Sequence, residues 1–127
     1  WVELTTLLIE GVNDSDREIE EICKFIKGID REIPLHLSAF HGAYKMADRK
    51  PTSHETLERA YDIAKSLHLE YVYLGNVIDD ERMDTHCPAC GELAIGRSGY
   101  LGENVQNYMK DKNKCPRCGY RIKGVWG

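Results

Sequence analysis

The sequence predicts an α/β protein in two parts: a three-stranded parallel βαβαβ unit over residues 1–82, then a small β zinc ribbon over 83–127. Three observations carry this expectation. Short runs rich in β-branched and aliphatic residues alternate with stretches of helical periodicity. Alternate residues within the strand runs sort into an aliphatic set and a polar set. Two matched motifs, Cys87-Pro88-Ala89-Cys90-Gly91 and Cys115-Pro116-Arg117-Cys118-Gly119, close the chain.

Val2 to Ile9 reads as the first strand, ended by Glu10-Gly11-Val12-Asn13-Asp14. Asp14 or Ser15 can cap the helix that follows. Its apolar residues Ile19, Ile22, Cys23 and Ile26 fall at i, i+3, i+4 and i+7, with Cys23 as a small core residue and Gly28 as the stop. Pro34 to Phe40 is the second strand, followed by a long loop over 41–52. Thr52 with Glu55 fits a capping box for the second helix, with Ser53 as the alternative cap. The inner stripe of that helix is Leu57, Ala60, Tyr61, Ala64 and Leu67, and Tyr71 to Val77 is the third strand. Asp79 to Asp84 is polar and charged and reads as a linker.

The order strand–helix–strand–helix–strand implies parallel strands with right-handed crossovers, which place both helices on one face. Val2, Leu4, Leu8, Leu35, Leu37, Ala39, Val72 and Leu74 are then the set beneath the helices. The opposite set, Glu3, Thr5, Leu7, Ile9, His36, Ser38, Phe40, Tyr71 and Tyr73, is mixed and polar. A polar face on a parallel sheet either meets water or lines the interior of a barrel, and the barrel is favoured because parallel sheets are normally covered on both faces. Three strands cannot close a barrel, so the chain reads as the C-terminal piece of something larger. It also opens Trp1-Val2-Glu3, without Met.

In the ribbon, each Cys-x2-Cys pair offers two thiolates on a tight turn, and two such turns face to face supply the four sulfurs of a tetrahedral zinc site. Cys87, Cys90, Cys115 and Cys118 are the expected ligands of a structural Zn2+. A redox dithiol needs one pair, not two, and four thiolates leave no open position for hydrolytic water. The 24 residues between the pairs, 91 to 114, suit a ribbon: a strand at Leu93-Ala94-Ile95, a turn at Gly96 to Gly99, a strand at Tyr100-Leu101, and a last strand over Arg121 to Val125.

Composition sets bounds. The 127 residues are 42% hydrophobic and 30% charged, with no run near the roughly 20 apolar residues of a membrane span and no basic leader at the start. Thiols kept for a metal suggest a reducing, cytoplasmic setting. Net charge is −4, unevenly spread. Residues 83–127 hold seven Lys/Arg against four Asp/Glu, and 1–82 hold 10 against 17. Zinc-bound thiolates would offset most of the ribbon's excess, so no nucleic-acid partner is expected.

If the sheet is an arc of a barrel, its chemistry sits at the C-terminal strand ends. Those ends offer Gly11 and Asn13, then His41, Tyr44 and Lys45, then Gly75 and Asn76. His41 could hydrogen-bond a ligand, exchange a proton or stack on a ring. Lys45 and Arg49 could meet anionic groups, and His36, Ser38 and Tyr73 would line the interior. No nucleophile elbow, P-loop, Gly-x-Gly-x-x-Gly or Cys-x3-Cys-x2-Cys triad is present, and no residue is expected to be catalytic within this chain.

Taken together, Trp1-Val2-Glu3-Leu4-Thr5-Thr6-Leu7-Leu8-Ile9, Gly11-Val12-Asn13-Asp14, His36-Leu37-Ser38-Ala39-Phe40-His41, Tyr44-Lys45-Met46 and Tyr71-Val72-Tyr73-Leu74-Gly75-Asn76-Val77 resemble the later part of radical S-adenosylmethionine enzymes. Within them, the chain is most similar to the pyruvate formate-lyase activating enzyme-like proteins of the AmmeMemoRadiSam system, which also end in a Cys-Pro-x-Cys-Gly ribbon and a Gly-Val-Trp tail, here Gly124-Val125-Trp126. The resemblance covers essentially all 127 residues. It implies a partial TIM barrel and reductive cleavage of S-adenosylmethionine at a [4Fe–4S] cluster, giving a 5′-deoxyadenosyl radical. It gives His41, which follows Phe40, a candidate role beside S-adenosylmethionine; by their positions Ser38 and Asn76 are further candidates at the cofactor, and His36, Tyr44, Lys45 and Tyr73 at the substrate. It implies as partners the missing N-terminal half of the barrel and a protein substrate or glycyl-radical enzyme. The family's cluster cysteines and Gly-rich strand lie in that missing half, so the 127 residues alone would be inactive. The alternative is a non-catalytic zinc-ribbon interaction module on a small α/β scaffold.

Overall fold

Parallel neighbours cannot be joined by a two-residue turn; each pair needs a crossover. The computed structural model describes residues 2–40, 51–77, 82–98 and 104–124, and divides the chain into two compact units, Val2–Val77 and Ile78–Gly127. In the first, strands β1 (Leu4–Leu8), β2 (Leu35–Ala39) and β3 (Val72–Gly75) form a sheet in the order β1-β2-β3, with both pairs parallel. The crossovers are helices α1 (Asp16–Ile29) and α2 (His54–Ser66).

Both helices bury their apolar sides in one core. Ile19, Cys23 and Ile26 of α1 and Leu57, Ala60 and Ala64 of α2 pack with Leu8, Leu35, Leu37, Ala39, Val72 and Leu74 of the sheet. Ile22, Tyr61, Leu67 and Leu4 pack half-buried around them. Burial, then the nearby Glu20 carboxylate, pushes the Cys23 thiol up to about 11, so it is an inert core group.

Helix ends follow from local hydrogen bonding. Ser15 caps α1: its Oγ accepts from Glu18 N at 3.2 Å and donates to Glu18 Oε1 at 3.0 Å. Gly28 does not stop this helix. The chain stays helical to Ile29, and Asp30 N donates to Ile26 O to finish the last turn. Ser53 caps α2, its Oγ accepting from Thr56 N.

Thr52 is spent elsewhere. An unbroken ladder would carry a bond from Phe40 N to Leu8 O. Instead Phe40 N donates to Thr52 Oγ1 at 2.8 Å, and Thr52 Oγ1 donates to Leu8 O at 2.5 Å. A buried hydroxyl thus spaces the C-terminal ends of β1 and β2 apart while satisfying both groups. The backbone N–H of Thr52 also donates to Phe40 O. The loop after β1 is latched to the start of α2. Glu10 Oε1 accepts from Ser53 N and Thr56 Oγ1, and Arg59 reaches Asp14 O at 2.6 Å and Asp16 Oδ1 at 2.9 Å.

Three expectations about the sheet faces need correction. Val2 precedes the ladder and is 58% exposed, outside the core. Phe40 and Tyr71, expected on the polar face, are buried, because they sit just beyond strand ends where the chain leaves the pleat. Tyr71 still accepts from Leu35 N through its carbonyl. The face itself carries Thr5, Leu7, His36, Ser38 and Tyr73, exposed or half-exposed, while the aliphatic set lies under the helices.

In the second unit, β4 (Thr85–His86), β5 (Leu93–Ser98) and β6 (Asn104–Asn107) form an antiparallel sheet in the order β4-β5-β6. The expected turn at Gly96 is instead strand. Gly96 pairs with Gln106, and Arg97 is fixed by Asp84 Oδ1, Met83 O and Thr85 Oγ1. Tyr100 and Leu101 lie outside the described residues. Of the expected last strand, Arg121 makes one bridge, to Lys114, and Ile122 is buried, but no strand forms over the described residues 121–124. No helix among the described residues is long and apolar enough to cross a membrane.

Two predictions follow from the first unit. Thr52→Val keeps the shape but leaves Leu8 C=O and Phe40 N–H without partners, and should cost about 1–3 kcal/mol in denaturant unfolding; an unchanged midpoint would show that the spacer is dispensable. At the other end of the sheet, burial and then Glu32 push the Glu70 carboxyl above its ordinary 4.5, with Arg31 (3.5 Å away) and Lys65 pulling back only in part. A carboxyl raised by folding stabilises the fold fully below its unfolded pKa, and that contribution is lost as pH rises through the folded value. Glu70→Gln cannot suffer this loss. Its stability relative to the parent should therefore climb as pH rises through the carboxylate range and level off above the raised value, whereas a relative stability that falls over the same range would make the Arg31 pair dominant.

Candidate metal centre

Two turns of the same shape bring the four cysteines together. In the first, Gly91 N donates to Cys87 O at 2.9 Å and Cys87 N donates to Glu92 O. In the second, Gly119 N donates to Cys115 O at 3.1 Å and Cys115 N donates to Tyr120 O, at identical spacing. Gly91 and Gly119 both sit at φ +79°, where a side chain would strain the backbone although space is free. The sequence places glycine at these two positions for that reason.

The sulfurs meet across the turns. Cys87 Sγ lies 3.6 Å from Cys118 Sγ, and Cys90 Sγ lies 3.6 Å from Cys115 Sγ. All four lie within 4.8 Å of one another. A disulfide would need about 2.05 Å. A tetrahedron with Zn–S bonds of about 2.3 Å has edges near 3.8 Å, which these separations match. The group could hold a metal ion such as zinc, and four soft thiolates favour zinc over hard cations.

With protons rather than a metal on the sulfurs, charge is unevenly shared. Burial raises the Cys87 thiol. Burial also works against ionising Cys115, but the N–H groups of Cys118 and Arg117 and the thiols of Cys90 and Cys87 outweigh it and bring Cys115 down to about 6. A divalent ion removes the competition by stabilising every thiolate at once.

The sheet face holds the other candidates. Thr5, His36 and Tyr73 share one row across the strands, and Leu7, Ser38 and Gly75 the next. The His36 ring stacks on Tyr73 with centroids 5.2 Å apart, and His36 Nε2 lies 3.3 Å from Glu3 Oε1. Gly75 has no Cβ to fill the space beside Ser38; an added one would come within 3.0 Å of Ser38 Oγ. Asn76 is exposed at φ +57°, its Nδ2 3.5 Å from Ala39 O at the C-terminal end of the sheet. Asn13 turns its amide to the backbone of β1 rather than outward. His41, Tyr44, Lys45 and Arg49 lie outside the described residues.

The structure thus groups Glu3, His36, Ser38 and Tyr73 on one face and places Asn76 at its end. Sequence reading placed Glu3 on that face without assigning it a partner; the parallel register that sets it beside His36 was the available signal. It also missed Glu10 and Arg59, whose partners lie 43 to 46 residues away, and no local pattern reveals those.

The centre should load about one zinc ion per chain. Cys87→Ser or Cys115→Ser should abolish loading, read by metal analysis, while the far-ultraviolet circular dichroism of α1 and α2 persists. Acidification should also release the ion, because protons compete for the thiolates. Zinc retained by either variant would remove that residue from the ligand set.

No protein-family model and no solved structure matches the chain. It is 40% identical over 123 residues, 96% of its length, to an uncharacterized protein from Methanocaldococcus jannaschii. Those residues are 37% of that relative, so the chain spans little more than a third of the curated protein it matches.

Proposed function

We propose that the chain is the C-terminal part of a radical S-adenosylmethionine enzyme of the activating-enzyme type, with the βαβαβ unit as an arc of a partial TIM barrel and the ribbon as a structural zinc module. The observation that carries this reading is the sheet face on which no helix or strand of this unit packs among the described residues. An all-parallel sheet ordinarily has both faces covered, yet this one has helices on one side and Thr5, His36, Ser38 and Tyr73 on the other. A barrel interior gives such a face something to touch. The half-exposed His36–Tyr73 stack offers a ring surface, and the notch at Gly75 bares the Ser38 hydroxyl. The match to about a third of a longer protein is compatible with further strands elsewhere in the polypeptide.

The cluster does not fit within these 127 residues. Of five cysteines, four form the ribbon group and Cys23 is buried in the core, which leaves none for an iron triad. When present, the cluster would supply the electron that cleaves S-adenosylmethionine; its ligands would come from the remainder of the protein. The sheet face of this chain would then orient the cofactor and substrate.

The test is chemical analysis of the longer gene product after anaerobic reconstitution. Iron, sulfide and zinc together, with 5′-deoxyadenosine formed from S-adenosylmethionine under reduction, are the expected outcome. Zinc without iron, and no 5′-deoxyadenosine, would refute the enzyme reading and leave a non-catalytic interaction module.

A further inference from the structure

We propose that the free edge of β1, together with the adjoining flank of α1, is the docking surface for one more strand–helix unit of the same polypeptide, its strand parallel to β1 and its helix lying along Ile22, Phe25 and Ile29. This rests on the barrel-arc part of the proposed function and specifies where the arc continues.

The unit's large exposed apolar side chains all belong to β1, the residues flanking it, or α1. Val2, Leu7, Val12, Phe25 and Ile29 are five of the seven large hydrophobic residues exposed among those described, with Phe25 at 67% and Ile29 at 63%; the other two belong to the ribbon. None lies on α2 or β3, so the opposite edge of the sheet shows no matching need. Beside the β1 edge runs a groove of about 350 Å³ whose walls include Leu4, Thr6, Ile22, Phe25 and Ile26. Ile22, Phe25 and Ile29 recur at helical spacing, which is the footprint of a helix packed alongside.

The backbone gives the direction and the limit. Leu4 N donates to Pro34 O, so the even-numbered residues of β1 turn their peptide groups toward β2 and the odd-numbered ones face outward. At the C-terminal end those outward groups are already taken. Asn13 Oδ1 accepts from Ile9 N at 2.7 Å, and Asn13 Nδ2 donates to Leu7 O at 2.8 Å. One side-chain amide thus stands where a neighbouring strand's peptide would. Among the described residues nothing pairs with the N–H groups of Thr5 and Leu7 or the C=O of Thr5, so an added strand can pair alongside Glu3 to Leu7 and must stop there. A right-handed crossover from such a strand into β1 places its helix on the face of α1 and α2, over the groove. A second copy pairing edge to edge is the competing occupant, and its signature is protection that depends on the concentration of the short chain.

Amide hydrogen exchange on the 127-residue chain and on the longer gene product tests this. Thr5 and Leu7 amides should exchange freely in the short chain at every concentration and ~10-fold or more slowly in the longer one. The Ile9 amide, held by Asn13, should be slow in both. Phe25→Glu should leave the melting temperature of the short chain unchanged and lower that of the longer product. Equal exchange of Thr5 and Leu7 in both proteins would overturn the proposal, as would concentration-dependent protection in the short chain alone, which means self-pairing. A reading frame with no strand–helix unit upstream would do so as well. Iron content plays no part in these readouts. Protection without iron removes the enzyme reading alone; iron without protection removes the docking surface alone.

Discussion

Hydrogen bonding between parallel strands governs the first unit. Such strands cannot be closed by hairpins, so each pair brings a helix with it, and the order β1-β2-β3 puts both helices on one side. Everything else adjusts to that asymmetry. Residues with one parity become the core beneath α1 and α2, and those with the other parity are left uncovered. The core is built from small and branched aliphatic residues, several with no exposed surface at all. The other side, with its His36–Tyr73 ring stack and the Ser38 hydroxyl, is half-exposed and contributes less burial.

The ribbon answers a different shortage. Among the described residues its buried apolar side chains are Met83, Ala94, Ile95 and Ile122 beside two of the cysteines. A unit this small rarely holds together on hydrophobic burial alone, and a metal can supply the missing cohesion. The backbone is arranged accordingly. Each turn spends its first amide and carbonyl on its own closure, leaving the sulfurs free to face one another. Arg97 plays a complementary part, tying β5 to the first residue of β4 and the two residues before it through three bonds.

Much of this was legible in the chain. The parity of Leu35, Leu37, Ala39, Val72 and Leu74, the stripes on both helices and the paired cysteine motifs are local patterns, and the structure keeps them. What was not legible depends on distant partners. Thr52 sits in a good capping position, yet the gap between Leu8 and Phe40 claims its hydroxyl, and Ser53 caps instead. Gly28 looks like a stop because glycine usually ends helices, but Asp30 closes the turn. In the ribbon, Gly96 has the composition of a turn and the pairing of a strand, since its partner Gln106 decides the matter. Short-range rules fail where a long-range bond outbids them.

The two cysteine turns also differ in one respect that their shared geometry hides. In each, the first sulfur-bearing residue is buried and the second lies nearer the surface: Cys87 and Cys115 inside, Cys90 intermediate and Cys118 exposed. An incoming chelator or metal donor would therefore meet Cys118 first and the inner pair last. With an ion in the group all four thiolates would share the hold, but its release would begin at the exposed corner, so protecting Cys118 from solvent would slow exchange without altering the ligand set.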